Sequence, residues 1–99
     1  MKPFMDTNLS SHGWDRVFDI STSTPDEYVW HRDVNDRMIK VLDGSGWKFQ
    51  FDNELPFDIN KYDEFFVPKM VFHRIIPGKT SLRIRIYEMA EESTLLEAV

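Results

Sequence analysis

The stretch Arg37-Met38-Ile39-Lys40-Val41-Leu42-Asp43-Gly44-Ser45-Gly46-Trp47-Lys48-Phe49-Gln50-Phe51 decides the fold class. β-Branched and aromatic residues crowd both flanks of the tetrapeptide 43–46, and Trp47, Phe49 and Phe51 alternate with Lys48 and Gln50. Alternation at period two is the mark of a half-buried strand, and an Asp-Gly-Ser-Gly sequence is a tight-turn sequence. Residues 37–43 and 46–51 therefore read as a β-hairpin. Working outward, similar runs of about five to eight residues recur between turn signals at 14–20, 27–33, 70–76 and 81–88, with shorter ones at 56–59 and 64–67. Pro77-Gly78-Lys79 is a further turn. Helical periodicity is absent through this region, so the chain reads as an all-β barrel or sandwich of about eight short strands.

Alternation also says which side is buried. Trp47, Phe49 and Phe51 share one face of their strand, and Leu82, Ile84 and Ile86 share one face of theirs; Arg83, Arg85 and Tyr87 occupy the opposite face. Residues 89–99 mix Glu with Leu, Ala and Val and suit one or two helical turns or a loose tail. Residues 1–11 carry little pattern, and 21–25 read as a loop.

A chain of 99 residues that is 41% hydrophobic, with eight Phe, three Tyr and three Trp, can bury one core but not two. A single domain, 1–99, is expected, with its core over about 14–88. The formal charge of −5 argues against nucleic acid as a partner, because phosphate contacts need the opposite sign. The absence of Cys removes disulfides, thiolate catalysis and Cys-ligated metals together. No apolar run reaches membrane-spanning or signal-peptide length, so a soluble, cytoplasmic protein without membrane association is expected.

With three histidines, the search for a site is short. His31 and Asp33 lie two apart in an extended run, which puts an imidazole and a carboxylate side by side. If His73 folds onto the same interior, the set becomes two imidazoles and one carboxylate, the donor arrangement that holds non-haem Fe(II) on one face and leaves other positions open. The same spacing also suits an ordinary pair of surface or hydrogen-bonded side chains. His12, in an unpatterned region, reads as an exposed loop residue. Trp30, Trp47, Phe49, Phe51, Phe65, Phe66 and Phe72 read chiefly as core, and any that face outward would mark a contact between copies.

From Tyr28 to Glu88 the sequence resembles the cupin family, whose first motif is G-x5-H-x-H-x3,4-E-x6-G and second G-x5-P-x-G-x2-H-x3-N. His31 matches the first His, Asp33 falls on the second, Arg37 falls on the Glu, and Gly44 follows at the motif's spacing. Pro68 and His73 match the second motif, while Tyr62 and Met70 stand at its two Gly positions and Pro77 at its Asn. The runs Trp30-His31-Arg32, Asp36-Arg37 and Gly44 to Phe51 resemble those of short single-domain cupins.

The resemblance implies a double-stranded β-helix, or jelly-roll barrel, and a homodimer. It also implies a divalent transition metal (Fe, Mn, Ni or Zn) on His31, Asp33 and His73. Asp33 still offers an oxygen ligand, but Arg37 has no lone pair to give and cannot be a fourth. Arg37 can pair with Asp33 or Asp36, or clamp a substrate carboxylate beside the metal, or join Arg83 or Arg85 in a metal-free anion pocket. The expected function is that of a metal-binding cupin, an oxygenase or related enzyme, acting on a small anionic molecule. The alternative is a non-enzymatic small-ligand-binding or regulatory cupin with a degenerate metal site. Epimerisation, which would need Tyr28 or Tyr87 opposite a His base, ranks last.

Overall fold

The computed structural model describes residues 4–10, 12–19 and 28–89. Its strands in chain order are β1 (Phe4–Ser10), β2 (Gly13–Phe18), β3 (Asp36–Asp43), β4 (Lys48–Phe51), β5 (Phe57–Asp58), β6 (Glu64–Val67), β7 (His73–Ile76) and β8 (Leu82–Met89). They form a five-stranded sheet of order β1-β2-β8-β3-β6 and a three-stranded sheet of order β5-β4-β7, with every pairing antiparallel. The all-β reading holds: no described residue lies in an α-helix, and no helix is long and apolar enough to cross a membrane.

The core lies between the sheets. Leu82, Ile84 and Ile86 of β8 face inward beside Ile39 and Val41 of β3, against Trp47, Phe49 and Ile75 from the smaller sheet's side, all buried. Trp47 is fully buried, with Phe18 and Tyr28 at ring separations of 6.0 and 6.1 Å. Its indole N–H donates to the Thr80 carbonyl at 2.6 Å, so the ring's polar edge is satisfied. Phe49 and Phe65 meet at 4.8 Å, one from each sheet, and close the aromatic layer.

The strand set differs from the sequence reading in three places. The 43–46 turn does not close a hairpin: β3 pairs with β6 and β8, whereas β4 pairs with β5 and β7. Trp47, directly after the turn, must enter the interior, so the chain crosses from one sheet to the other. The turn from β7 to β8 crosses back beside it, and the two stack, with the Lys79 N–H donating to the Ser45 carbonyl at 2.7 Å. Gly78 permits this contact, since a Cβ there would sit 2.3 Å from the Ser45 oxygen.

Residues 28–33 do not form the expected strand. Only His31 pairs, with His73, because the Asp33 carbonyl accepts the Met70 N–H at 2.7 Å and ends the ladder after one bridge. In the weakly patterned N-terminus, by contrast, β1 adds an edge strand to β2. Three of the aromatics expected chiefly in the core face outward: Trp30 is 40% exposed, Phe66 43% and Phe72 39%. The guanidiniums of Arg74 and Arg32 lie over Trp30 and Phe72 at 4.7 and 4.9 Å. The loop expected at 21–25 and the tail beyond Met89 lie outside the described residues.

Candidate metal centre

His73 opens β7 as the one buried charged or polar side chain among the described residues, at 4% exposure. Its backbone N–H and C=O both bond His31, at 2.8 and 3.0 Å. A single antiparallel bridge of this kind sets the two side chains on one face. The imidazole centroids lie 4.5 Å apart at 70°, and Phe49 stacks on His73 at 5.3 Å. Asp33, two residues from His31, joins the same face. Its backbone is held by the Met70 N–H, and the next turn is tied down by the Lys69 N–H donating to Asp36 Oδ1 at 2.7 Å. Met70 makes this turn at φ +64° and Tyr62 makes an earlier one at φ +78°, left-handed conformations at the two positions where the resembled motif has Gly.

The hydrogen bonds fix which nitrogen each ring presents. His31 Nδ1 meets the Val29 carbonyl at 3.0 Å and His73 Nδ1 meets the Val71 carbonyl at 2.8 Å. A carbonyl only accepts, so each Nδ1 carries a proton and each ring turns its Nε2 toward the centre, where an imidazole without a second proton presents a lone pair. Metal-ligating histidines are held in the same way, by a hydrogen bond from the ring nitrogen that faces away from the metal. His73 Nε2 then faces Asp33 Oδ2 at 3.2 Å. That oxygen is buried and accepts no hydrogen bond among the described residues. Two lone pairs held face to face repel unless a proton or a cation lies between them. Ligands about 2.1 Å from one metal and roughly at right angles stand about 3 Å apart, the spacing found here. Burial pushes the Asp33 carboxyl up, but the positive charge around it outweighs burial and holds the group below its ordinary value: a hydrogen bond from His73 and the charges of His73 and His31 whenever those rings carry a second proton, and the charge of Arg37 throughout. It is an anion at neutral pH. His31, Asp33 and His73 each bring a ligand atom within 4.8 Å of the others, the only such group among the described residues. The donor set fits a divalent transition metal: two imidazoles and a carboxylate, with room for further ligands.

Arg37, on β3, reaches into the same space. Its Nη1 lies 3.4 Å from Asp33 Oδ1 and its Nε donates to Glu88 Oε2 at 3.2 Å; Glu88 is its cross-strand partner on β8. A cavity of about 40 Å³ joins these groups, walled by Ile39, Val67, Ile75, Ile84 and Ile86. By the usual measure of 10–15 Å³ per water it has room for roughly three water-sized groups.

Sequence reading missed Arg16, which also lines this cavity. The signal was present: Trp14, Arg16 and Phe18 share a face of β2, and Phe18 is core. Arg83 and Arg85 do not enter the cavity. They alternate with the buried residues of β8 and point outward, where Arg85 pairs with Asp15 at 2.8 Å. Tyr87 shares that outer face and Tyr28 packs on Trp47, so neither stands as an acid opposite a histidine. His12 is exposed, as expected of a loop residue.

The sequence matches no family model and no curated protein. Solved structures do match. An RmlC-like cupin family protein with a double-stranded β-helix fold from Methanocaldococcus jannaschii superposes with a TM-score of 0.66 at 13% identity, over 97% of this chain and 86% of that one. The DMSP lyase DddQ from Ruegeria pomeroyi gives 0.69 at 14% identity, over 90% of this chain and 48% of that one. Iron(II) HppE, solved with its substrate, gives 0.63 at 15% identity, over 87% and 52%. The chain thus spans about half the length of the two enzymes, and at these identities the likeness is one of fold.

Proposed function

With a cupin fold established by these structures, we propose that the protein is a metal-binding cupin that acts on a small anionic molecule. His31, Asp33 and His73 hold one Fe, Mn, Ni or Zn ion, and Arg37 orients the anion. The observation that carries this is the buried Asp33 oxygen set 3.2 Å from the His73 lone pair, an arrangement a divalent cation turns from repulsive to attractive. The iron(II) in HppE and the lyase activity of DddQ support it as examples of chemistry on the same fold. When bound, such an ion supplies Lewis-acid or, for iron, oxygen-activating chemistry at its open positions.

The chain's own residues do the rest. The carbonyls of Val29 and Val71 lock the two rings, the isoleucines give the cavity an apolar wall, and the Arg37 guanidinium, held in place by Glu88, sets a positive charge toward a bound carboxylate. Exposed Trp30, Phe66 and Phe72 support association of two copies.

Elemental analysis of untagged protein beside His31→Ala and His73→Ala tests the metal site. About one ion per chain in the wild type and almost none in either folded variant is expected; variants that keep full metal overturn the assignment. A second reading rests on the Arg37–Asp33 pair: with Asp33 neutralised, the cavity binds an anion without a metal. Stabilisation by small acids that survives chelation would favour it.

A further inference from the structure

We propose that Arg16 and Arg37 together form the anion-binding end of the cavity, and that a divalent cation on the triad strengthens this site by drawing Asp33 away from Arg37. The second half rests on the metal reading above. The first half stands on the placement of Arg16.

β2 lies beside β8 with Trp14 opposite Ile86, Arg16 opposite Ile84 and Phe18 opposite Leu82. All three β8 partners are buried, so the alternation that buries Phe18 also turns Arg16 inward. Its side chain is only 12% exposed, against 17% for that of Arg37. Both guanidiniums stand by the Trp14 ring, at 6.0 and 5.4 Å from its centroid, and both line the cavity that contains the triad. A guanidinium inside a sandwich is costly without a partner. Asp6 meets Arg16 in a fork, accepting from Nε at 2.8 Å and Nη2 at 3.1 Å, which fixes the plane of the group. Glu88 fixes Arg37 through its Nε.

Charge decides what this end accepts. Asp6, Asp33 and Glu88 against Arg16 and Arg37 leave one negative charge among these five groups. A divalent cation at the triad reverses that to one positive charge, in surroundings where net charge is poorly screened. It also draws on the charge of Asp33 through Oδ2, while Arg37 holds the other oxygen, Oδ1, at 3.4 Å, longer than a good charge-assisted bond. A carboxylate of one negative charge then restores neutrality between the two guanidiniums. A purely structural Arg16 would link β1 to β2 and leave anion affinity untouched.

Formate, three heavy atoms with one negative charge, is the probe, titrated calorimetrically into chelated protein and into protein loaded with zinc and dialysed free of excess. The zinc form is expected to bind formate at least about tenfold more tightly than the metal-free form. Arg16→Met and Arg37→Met are each expected to weaken it about ten- to a hundredfold, the worth of one charge-assisted hydrogen-bonding group, with zinc content unchanged. If Arg16→Met does not fold, Arg16→Lys keeps the charge without the fork and is expected to bind with intermediate affinity. Wild-type affinity in the Arg16 variant overturns the pair while leaving the metal site standing. A wild type that takes up no zinc overturns the metal reading and the linkage together; loss of formate binding in both metal-free arginine variants would then still uphold the pair.

Discussion

Replacing Asp33 by Asn separates what this residue does for the fold from what it does for a metal. In metal-free protein the new amide faces His73 Nε2 at the 3.2 Å now held by the carboxylate, and an N–H there donates to the ring's lone pair. Such a bond contributes about 0.5–1.5 kcal/mol. The pair with Arg37, partly solvated at 3.4 Å, is lost at a cost of about 0.2–1 kcal/mol. The two offset, so the metal-free variant should unfold within about 1 kcal/mol of the wild type. Zinc separates them. At a free concentration a hundredfold above its dissociation constant, it stabilises the wild type by about 2.7 kcal/mol. At about 4–8 °C per kcal/mol for a domain this small, Tm rises about 10–20 °C. The Asn variant, left without its anionic ligand, should rise less than about 3 °C. Thermal unfolding followed by circular dichroism, with and without zinc at fixed protein concentration, measures both quantities. A variant with the full zinc shift would refute Asp33 as a ligand. A metal-free variant weaker by more than about 3 kcal/mol would show instead that a buried ion pair of Asp33 with protonated His73 holds the fold.

Three further outcomes follow from the same geometry. Met70→Gly and Tyr62→Gly each relieve a left-handed backbone that costs a non-Gly residue about 1–2 kcal/mol, against about 0.4–1 kcal/mol of added unfolded-state freedom, so each should raise Tm by a few degrees in a calorimetric scan. In metal-free protein, Asp33 binds its proton more weakly folded than unfolded. Its contribution is therefore complete above its ordinary value of 3.8 and is lost as pH falls through the depressed folded value, and urea titrations across that range should show a shallower acid limb for Asp33→Asn. Gly78→Ala forces a methyl to within 2.5 Å of the Trp47 ring and 2.3 Å of the Ser45 carbonyl, and the two stacked turns must part; a loss of about 1–3 kcal/mol in the same titration is expected, and an unchanged midpoint would refute the stacking.

Period-two alternation made the fold class legible, since it reports burial, and burial in a two-layer protein is set by local pattern. Leu82, Ile84 and Ile86 were assigned to the core on that ground and are buried. Alternation does not say which sheet a strand joins. The turn at 43–46 looks local, yet its flanking strands part because Trp47 fills the space between the layers, a long-range demand with no local trace. The segment 28–33 failed for a related reason. Its residue types suit a strand, but the carbonyl that would continue the ladder is taken by Met70, and only the left-handed turn there brings the N–H within reach.

At the site, Arg37 shows how a motif position can change its residue while the interior keeps its charge logic. Read position by position, the cupin pattern loses an acid where Arg37 stands and gains one where Asp33 replaces a histidine. The structure puts both in one cavity, 3.4 Å apart, so the carboxylate moves from β3 to the loop before it, and the vacated β3 position carries a cation. That cation is tolerated because β8 places Glu88 directly opposite. Arg16 follows the same rule one strand further out, with Asp6 opposite it on β1. Each arginine was thus readable as a break in an apolar face, but its acidic partner was not, because cross-strand register is decided by the sheet order and not by either strand alone. It is this register that brings two arginines far apart in the sequence to the one cavity that also holds the two histidines and Asp33.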